Sequence, residues 1–62
     1  MIANRRVSIS SIYDVQHVTG QSYEEARGTY WHIKKAGRVY KDDKNGVLTE
    51  MVYAPRKRRI NQ

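Results

Sequence analysis

The sequence predicts an α+β fold: two short helices joined by a glycine-containing turn, then a C-terminal β-hairpin, set between basic arms. Three observations predict it. Helical punctuation occurs twice in succession, with a serine opening and a glycine closing each apolar stripe. After Gly37 the hydrophobic period changes from helical spacing to two. Asn45-Gly46 between alternating residues is a strong hairpin signal, because both residues accept positive φ.

In chain order, residues 1–6 read as a loose basic arm, 7–55 as the folded domain and 56–62 as a basic tail. Val7-Ser8-Ile9 alternates and is either a short strand or an extended lead-in. From Ser10 or Ser11 to Thr19 the pattern is helical. A serine accepts an orphan N–H, Asp14 suits the positive end of the dipole, and Gly20 ends the helix. Ile12, Val15 and either Val18 or Thr19 form its apolar stripe. Ser22-Tyr23-Glu24-Glu25 is a capping box that opens a second helix. Its stripe is Tyr23, Ala26, Tyr30 and Ile33; Lys34 and Lys35 suit its negative end, and Gly37 stops it. Gly28 in its middle costs about 1 kcal/mol relative to alanine. It either admits a close backbone approach or is tolerated.

Arg38 to Lys41 and Val47 to Tyr53 read as strands. A two-residue turn at Asn45-Gly46 sets Lys41 opposite Glu50, Tyr40 opposite Met51, Val39 opposite Val52 and Arg38 opposite Tyr53. A longer loop is the alternative. In this reading Val39, Leu48 and Val52 share one face, and Tyr40, Val47, Met51 and Tyr53 share the other. A hairpin apolar on both sides exceeds what two short helices cover. The second face is then a protein-partner surface or a dimer interface, unless its tyrosines simply sit half exposed.

Composition narrows the function. With 62 residues, the single core supplies only about 3–5 kcal/mol. There is no cysteine, which excludes disulfides, thiolate zinc sites and cysteine nucleophiles. No apolar run is long enough for a membrane span or a signal-peptide core, so a reducing, cytoplasmic setting is expected. The chain begins with Met1, as a complete small protein would. His17 and His32 without cysteine fall short of a metal site. No paired carboxylates, nucleophile triad or phosphate-cradling glycine loop is recognisable, so neither an enzyme, a cofactor nor a small-molecule substrate is expected.

Charge is the more telling feature. Twelve Lys and Arg against six Asp and Glu give a net charge of +6. Arg5, Arg6, Arg56, Lys57, Arg58 and Arg59 lie at the ends, and the segment between them is neutral. Basic runs flanking a neutral body point to a polyanionic partner, duplex DNA above all, although charge excess also serves solubility.

Two helices with Gly20 between them, and small Val15, Val18 and Ala26 at their crossing, have the layout of a helix-turn-helix, with the hairpin as a wing. The segment Val18-Thr19-Gly20-Gln21-Ser22 followed by Ala26-Arg27 resembles the turn of many DNA-binding regulators of this kind. Ser11-Ile12-Tyr13-Asp14-Val15, then Val18 to Gln21, Ala26, Trp31 and Lys34, resembles phage and large-virus antirepressor-type and excisionase-like proteins. That likeness covers about half the chain, from Ser11 to Lys35. It implies a phage or mobile-element origin and nothing finer. The expected function of the whole chain is sequence-specific duplex DNA binding, as a phage- or plasmid-type transcriptional regulator or recombination directionality factor.

On this reading Arg27 forks to guanine and Gln21 reads adenine, with Ser22 and Trp31 nearby. Lys34, Lys35 and Arg38 contact phosphate. Lys44 and Asn45 at the hairpin tip touch a neighbouring groove or backbone. The terminal arginines dock on phosphate or enter a narrow minor groove. The competing reading of Arg27 is a surface pair with Glu24, and Trp31 is expected beneath the hairpin as core. Glu24 counts against groove insertion. RNA binding through exposed aromatics and the tail, or a small inhibitor docking by its hairpin, are the rival functions.

Overall fold

Val7-Ser8-Ile9 belongs to a strand, and that strand completes the sheet. β1 (Arg5–Ile9) is followed by α1 (Ile12–Thr19), α2 (Tyr23–Ala36), β2 (Arg38–Asp42) and β3 (Leu48–Tyr53). The computed structural model describes residues 2–55; the basic tail with Arg56, Lys57, Arg58 and Arg59 lies outside the described residues.

Both helices are closed by the local chemistry their sequences carry. Ser11 Oγ accepts the Asp14 N–H, and the Asp14 carboxylate accepts the N–H groups of Ser10 and Ser11 at 2.7 and 3.2 Å. Ser22 and Glu25 form the same reciprocal box at the start of α2. Gly20 (φ 75°) and Gly37 (φ 87°) end the two helices in the left-handed region, each returning its N–H to the carbonyl four residues back.

The glycines yield a prediction of opposite signs. Gly20→Ala places a side chain in the left-handed region, 3.4 Å from Lys44 Cβ, and costs about 1–2 kcal/mol. Gly28 has open space beside it, with no neighbour within 4 Å. Gly28→Ala therefore stabilises by about 0.5–1 kcal/mol. Thermal melts of the two variants should move in opposite directions; parallel shifts would contradict the geometry.

The sheet has the order β1-β3-β2, with β3 central, parallel to β1 and antiparallel to β2. Arg5 and Arg6 are thus strand residues and do not belong to the loose arm expected of residues 1–6. They are held because β3 has an edge for β1 to occupy and because each arginine meets an acid. Arg5 Nη1 lies 2.9 Å from Asp43 Oδ2, and Arg6 Nε lies 3.8 Å from Glu50 Oε1.

The hairpin register differs by one residue from the two-residue-turn pairing. Val39 faces Met51, Tyr40 faces Glu50 and Lys41 faces Thr49. The longer loop is the one formed, and Asp43 is the reason. Its buried carboxylate accepts the N–H groups of Asn45 and Val47 at 2.8 and 2.9 Å, and Gly46 N–H donates to its carbonyl at 3.0 Å. Gly46 takes φ 80°, whereas among the described residues no non-glycine has positive φ, so Asn45 does not form the mirror-image turn.

A one-residue slip exchanges faces. Val39 joins Met51 and Tyr53 on the helix side, where Val7 and Ile9 of β1 also lie, and Tyr40 joins Leu48 and Val52 on the open side. The expected face assignment of Val39 and Tyr40 is thereby reversed. The helices cover the first face only. Ile9, Val15, Val18, Ala26, Ile33 and Met51 form its buried core, with Val7, Ile12, Tyr30, Val39 and Tyr53 packed around them. Tyr30 Oη donates to the Ser10 carbonyl at 3.3 Å and meets Tyr53 edge-on, tying α2 to the end of the sheet where the parallel strands β1 and β3 finish. Burial, with Tyr53 beside it, raises the Tyr30 phenol above its ordinary value.

Candidate nucleic-acid interface

α2 buries Ala26 and Ile33 and turns its remaining surface outward. Tyr23, Arg27, Trp31 and Lys34 follow at intervals of four, four and three, forming one flank about 16 Å long. Trp31 is 60 % exposed. It is not the core residue expected beneath the hairpin, because the hairpin packs on the other flank of α2, where Thr29, His32 and Ala36 face β2. Lys34 Nζ stands 5.2 Å from the Trp31 ring centre and 5.7 Å from that of Tyr30, a cation–π arrangement that keeps the ammonium at the surface. At the N-terminal end of α2, Tyr23 meets Tyr13 of α1 with ring centres 6.1 Å apart, and both are exposed.

The sequence-derived site residues divide among several places. Arg27, Trp31 and Lys34 share the flank just described. Arg27 has no ion pair with Glu24 or any other acid among the described residues, so its surface-pair reading does not hold. Lys35 borders the groove between α2 and β2, a cavity of about 440 Å³ also lined by Val39, Tyr40 and Lys41. Gln21 is partly committed, since its Oε1 accepts from Thr29 Oγ1 at 3.0 Å. Ser22 Oγ is engaged as the helix cap.

Lys44 and Asn45 do not stand out as an extended tip. Lys44 N–H donates to the Val18 carbonyl at 3.0 Å, one of the orphan carbonyls at the end of α1. The loop therefore rests on the end of α1 and the Gly20 turn, with Lys44 and Asn45 exposed there. Arg5, Arg6 and Arg38 lie elsewhere. Arg5 is bound to Asp43, and Arg6 and Arg38 flank Glu50 on the open side of the sheet, each 3.8 Å from it.

Sequence reasoning missed the exposed Tyr13 and Tyr23 and the placement of Lys41. Tyr13 lies off the apolar stripe of α1, and that helical angle was the available signal. Lys41 depended on the hairpin register.

Electrostatically, four of the six acids are engaged within the fold. Asp14 and Glu25 cap helices, Asp43 organises the loop, and Glu50 sits between two arginines. Among the described residues, Arg27, Lys34, Lys35, Lys41 and Lys44 form no ion pair. No group of three potential metal ligands occurs among the described residues, and no helix there is long and apolar enough to cross a membrane. Comparison with protein-family models, curated proteins and solved structures finds no match to this chain.

Proposed function

We propose that this chain binds double-stranded DNA in a sequence-dependent way, without enzymatic activity, as a phage- or plasmid-type transcriptional regulator or recombination directionality factor in the cytoplasm. In this reading α1, the Gly20 turn and α2 are a helix-turn-helix, and β2–β3 is its wing. The observation that carries it is the charge separation: most acids are consumed internally, and the unpaired cations gather on α2 and the loop beside it. Arg27 is free to fork onto a guanine edge, Lys34 and Lys35 reach phosphate, and Lys44 and Asn45 approach the backbone from beside the α1–α2 turn. Arg38 and Arg6 act on the sheet side and are left out of this contact set. Glu24 remains the one acid on the outward surface of α2, and it restricts which bases can sit opposite it.

The test is fluorescence anisotropy of mixed-sequence duplex DNA and single-stranded RNA over a salt series, with the full chain and with a version ending at Pro55. Duplex binding should survive near-physiological salt, and losing the tail should flatten the salt slope without abolishing binding. Site selection from a random duplex library follows. Arg27→Ala should then cost about 1–3 kcal/mol and relax preference at one base position. The exposed Trp31 supports one alternative, stacking on unpaired bases. Preference for single-stranded RNA, with Trp31 emission quenched, would replace the duplex reading. Binding that disappears with the tail would leave only non-specific attraction.

A further inference from the structure

β2 is an edge strand, and its outward backbone has no partner strand among the described residues. At one end Tyr53 N–H donates to the Gly37 carbonyl at 2.9 Å; at the other, Asp43 N–H donates to the Val47 carbonyl at 2.9 Å. Ladder bonding alternates along an antiparallel strand. The odd-numbered residues from Gly37 to Asp43 therefore face β3, and Arg38, Tyr40 and Asp42 turn their N–H and C=O groups away from the sheet. The side chains of these same three residues lie on the open face, opposite Val52, Glu50 and Leu48. No proline interrupts the strand, and its charged residues discourage pairing with a strand that does not match them while permitting it where opposite charges meet.

We propose that β2 pairs antiparallel with β2 of a second copy of this chain, about a twofold axis through Tyr40, so that the two sheets become continuous. The strand is self-complementary about its centre: Arg38-Val39-Tyr40-Lys41-Asp42. With Tyr40 opposite Tyr40 of the second copy, each Arg38 faces the other copy's Asp42. Because Tyr40 is an outward-turned residue, this is also a register in which opposed residues exchange ladder bonds. Three such pairs give about six N–H···O=C bonds. Sliding by two residues keeps the bonding parity and loses the arginine–aspartate match.

Asp42 is suited to this role, since it makes no ion pair or side-chain hydrogen bond among the described residues. Arg38 touches Glu50 only at 3.8 Å, and its guanidinium has donors to spare for a second carboxylate. On the helix side, Val39 falls opposite the second copy's Lys41, whose aliphatic stem covers the apolar floor of the groove beside α2. The other edge offers no equivalent. β1 reads Arg5-Arg6-Val7-Ser8-Ile9, with two cations and no acid.

Light scattering and sedimentation of the full chain, from micromolar to millimolar concentration, should show the mass rising to twice that of one chain. A single-chain mass throughout overturns the proposal. Tyr40→Pro removes only an outward N–H, which an edge strand tolerates, so the far-UV spectrum should be kept and the dimer lost. A surviving dimer overturns the proposal. Arg38→Glu and Asp42→Lys each oppose like charges across the axis, and each should be monomeric alone. Mixed, they restore both ion pairs and should give a dimer of unequal chains, visible by native mass spectrometry. Should Tyr40→Pro fail to fold, the mixing experiment decides, and absence of the mixed dimer overturns the proposal. None of these readouts depends on nucleic-acid binding.

Discussion

Met51→Ala should be among the most destabilising single substitutions in this protein, lowering its urea midpoint steeply. Met51 is fully buried on the central strand, with Val7 on one side and Val39 on the other, and it belongs to the same core cluster as Ile33 and Val15. Truncating a buried methionine to alanine costs about 2–5 kcal/mol, from lost burial plus the cavity left behind. A domain of this length has about 3–5 kcal/mol in total. The substitution therefore takes from about two fifths to all of the stability, and a small core has few neighbours that can collapse into the gap. The control is Val52→Ala, the adjacent residue on the open face, which should cost far less. Urea titrations followed by far-UV circular dichroism measure both. Equal losses at the two positions would mean that the faces of β3 are not distinguished as described.

Asp43 should set the acid limit of the fold. Its carboxylate is buried, accepts two backbone N–H groups and holds Arg5 at 2.9 Å. The Val47 N–H, then those of Asn45 and the charges of Arg5 and Lys44, hold it below its ordinary value of 3.8, while burial pushes the other way. A carboxyl that titrates lower in the folded state binds fewer protons there than in the unfolded chain. Its stabilisation is complete above the ordinary value and is lost as pH falls through the depressed one. The melting temperature should accordingly decline as pH drops below about 4. In Asp43→Asn part of that decline should vanish, because the amide keeps an acceptor for the loop N–H groups and has no charge to lose. Asp43→Ala should be worse at every pH, since it strands two N–H donors and releases β1 from the loop. A variant and parent with parallel pH profiles would remove Asp43 from this role.

The contrast between these two residues shows what could be read from the chain. The serine caps of both helices, the Ser22–Glu25 capping box, the glycine stops at Gly20 and Gly37, and the existence of the hairpin are written in the sequence. Each depends on residues two to four positions apart, and short-range hydrogen bonding decides them whatever the rest of the molecule does. The buried faces of the helices follow for the same reason at Val15, Val18, Ala26 and Ile33, because helical spacing leaves little choice. Tyr23 shows the limit of that argument: it sits on the same stripe but at the end of α2, where the sheet does not reach it.

The candidate site was legible in kind and not in arrangement. Charge placement marked out Arg27, Lys34 and Lys35, and the helix carries them outward. Arg5, Arg6 and Arg38 have the same composition signal and a different setting, because acids brought from elsewhere in the chain meet them. The Arg5–Asp43 pair spans 38 residues. Tertiary structure alone decided that β1 joins β3 and that the Asp43 carboxylate is buried against Arg5; the loop bonds of Asp43 are local, and the slip they accompany sends Val39 inward and Tyr40 out. Tertiary structure also left Trp31 at the surface. These outcomes depend on which strand edge is free and which carboxylate is buried, and both arise only when distant segments are packed against one another.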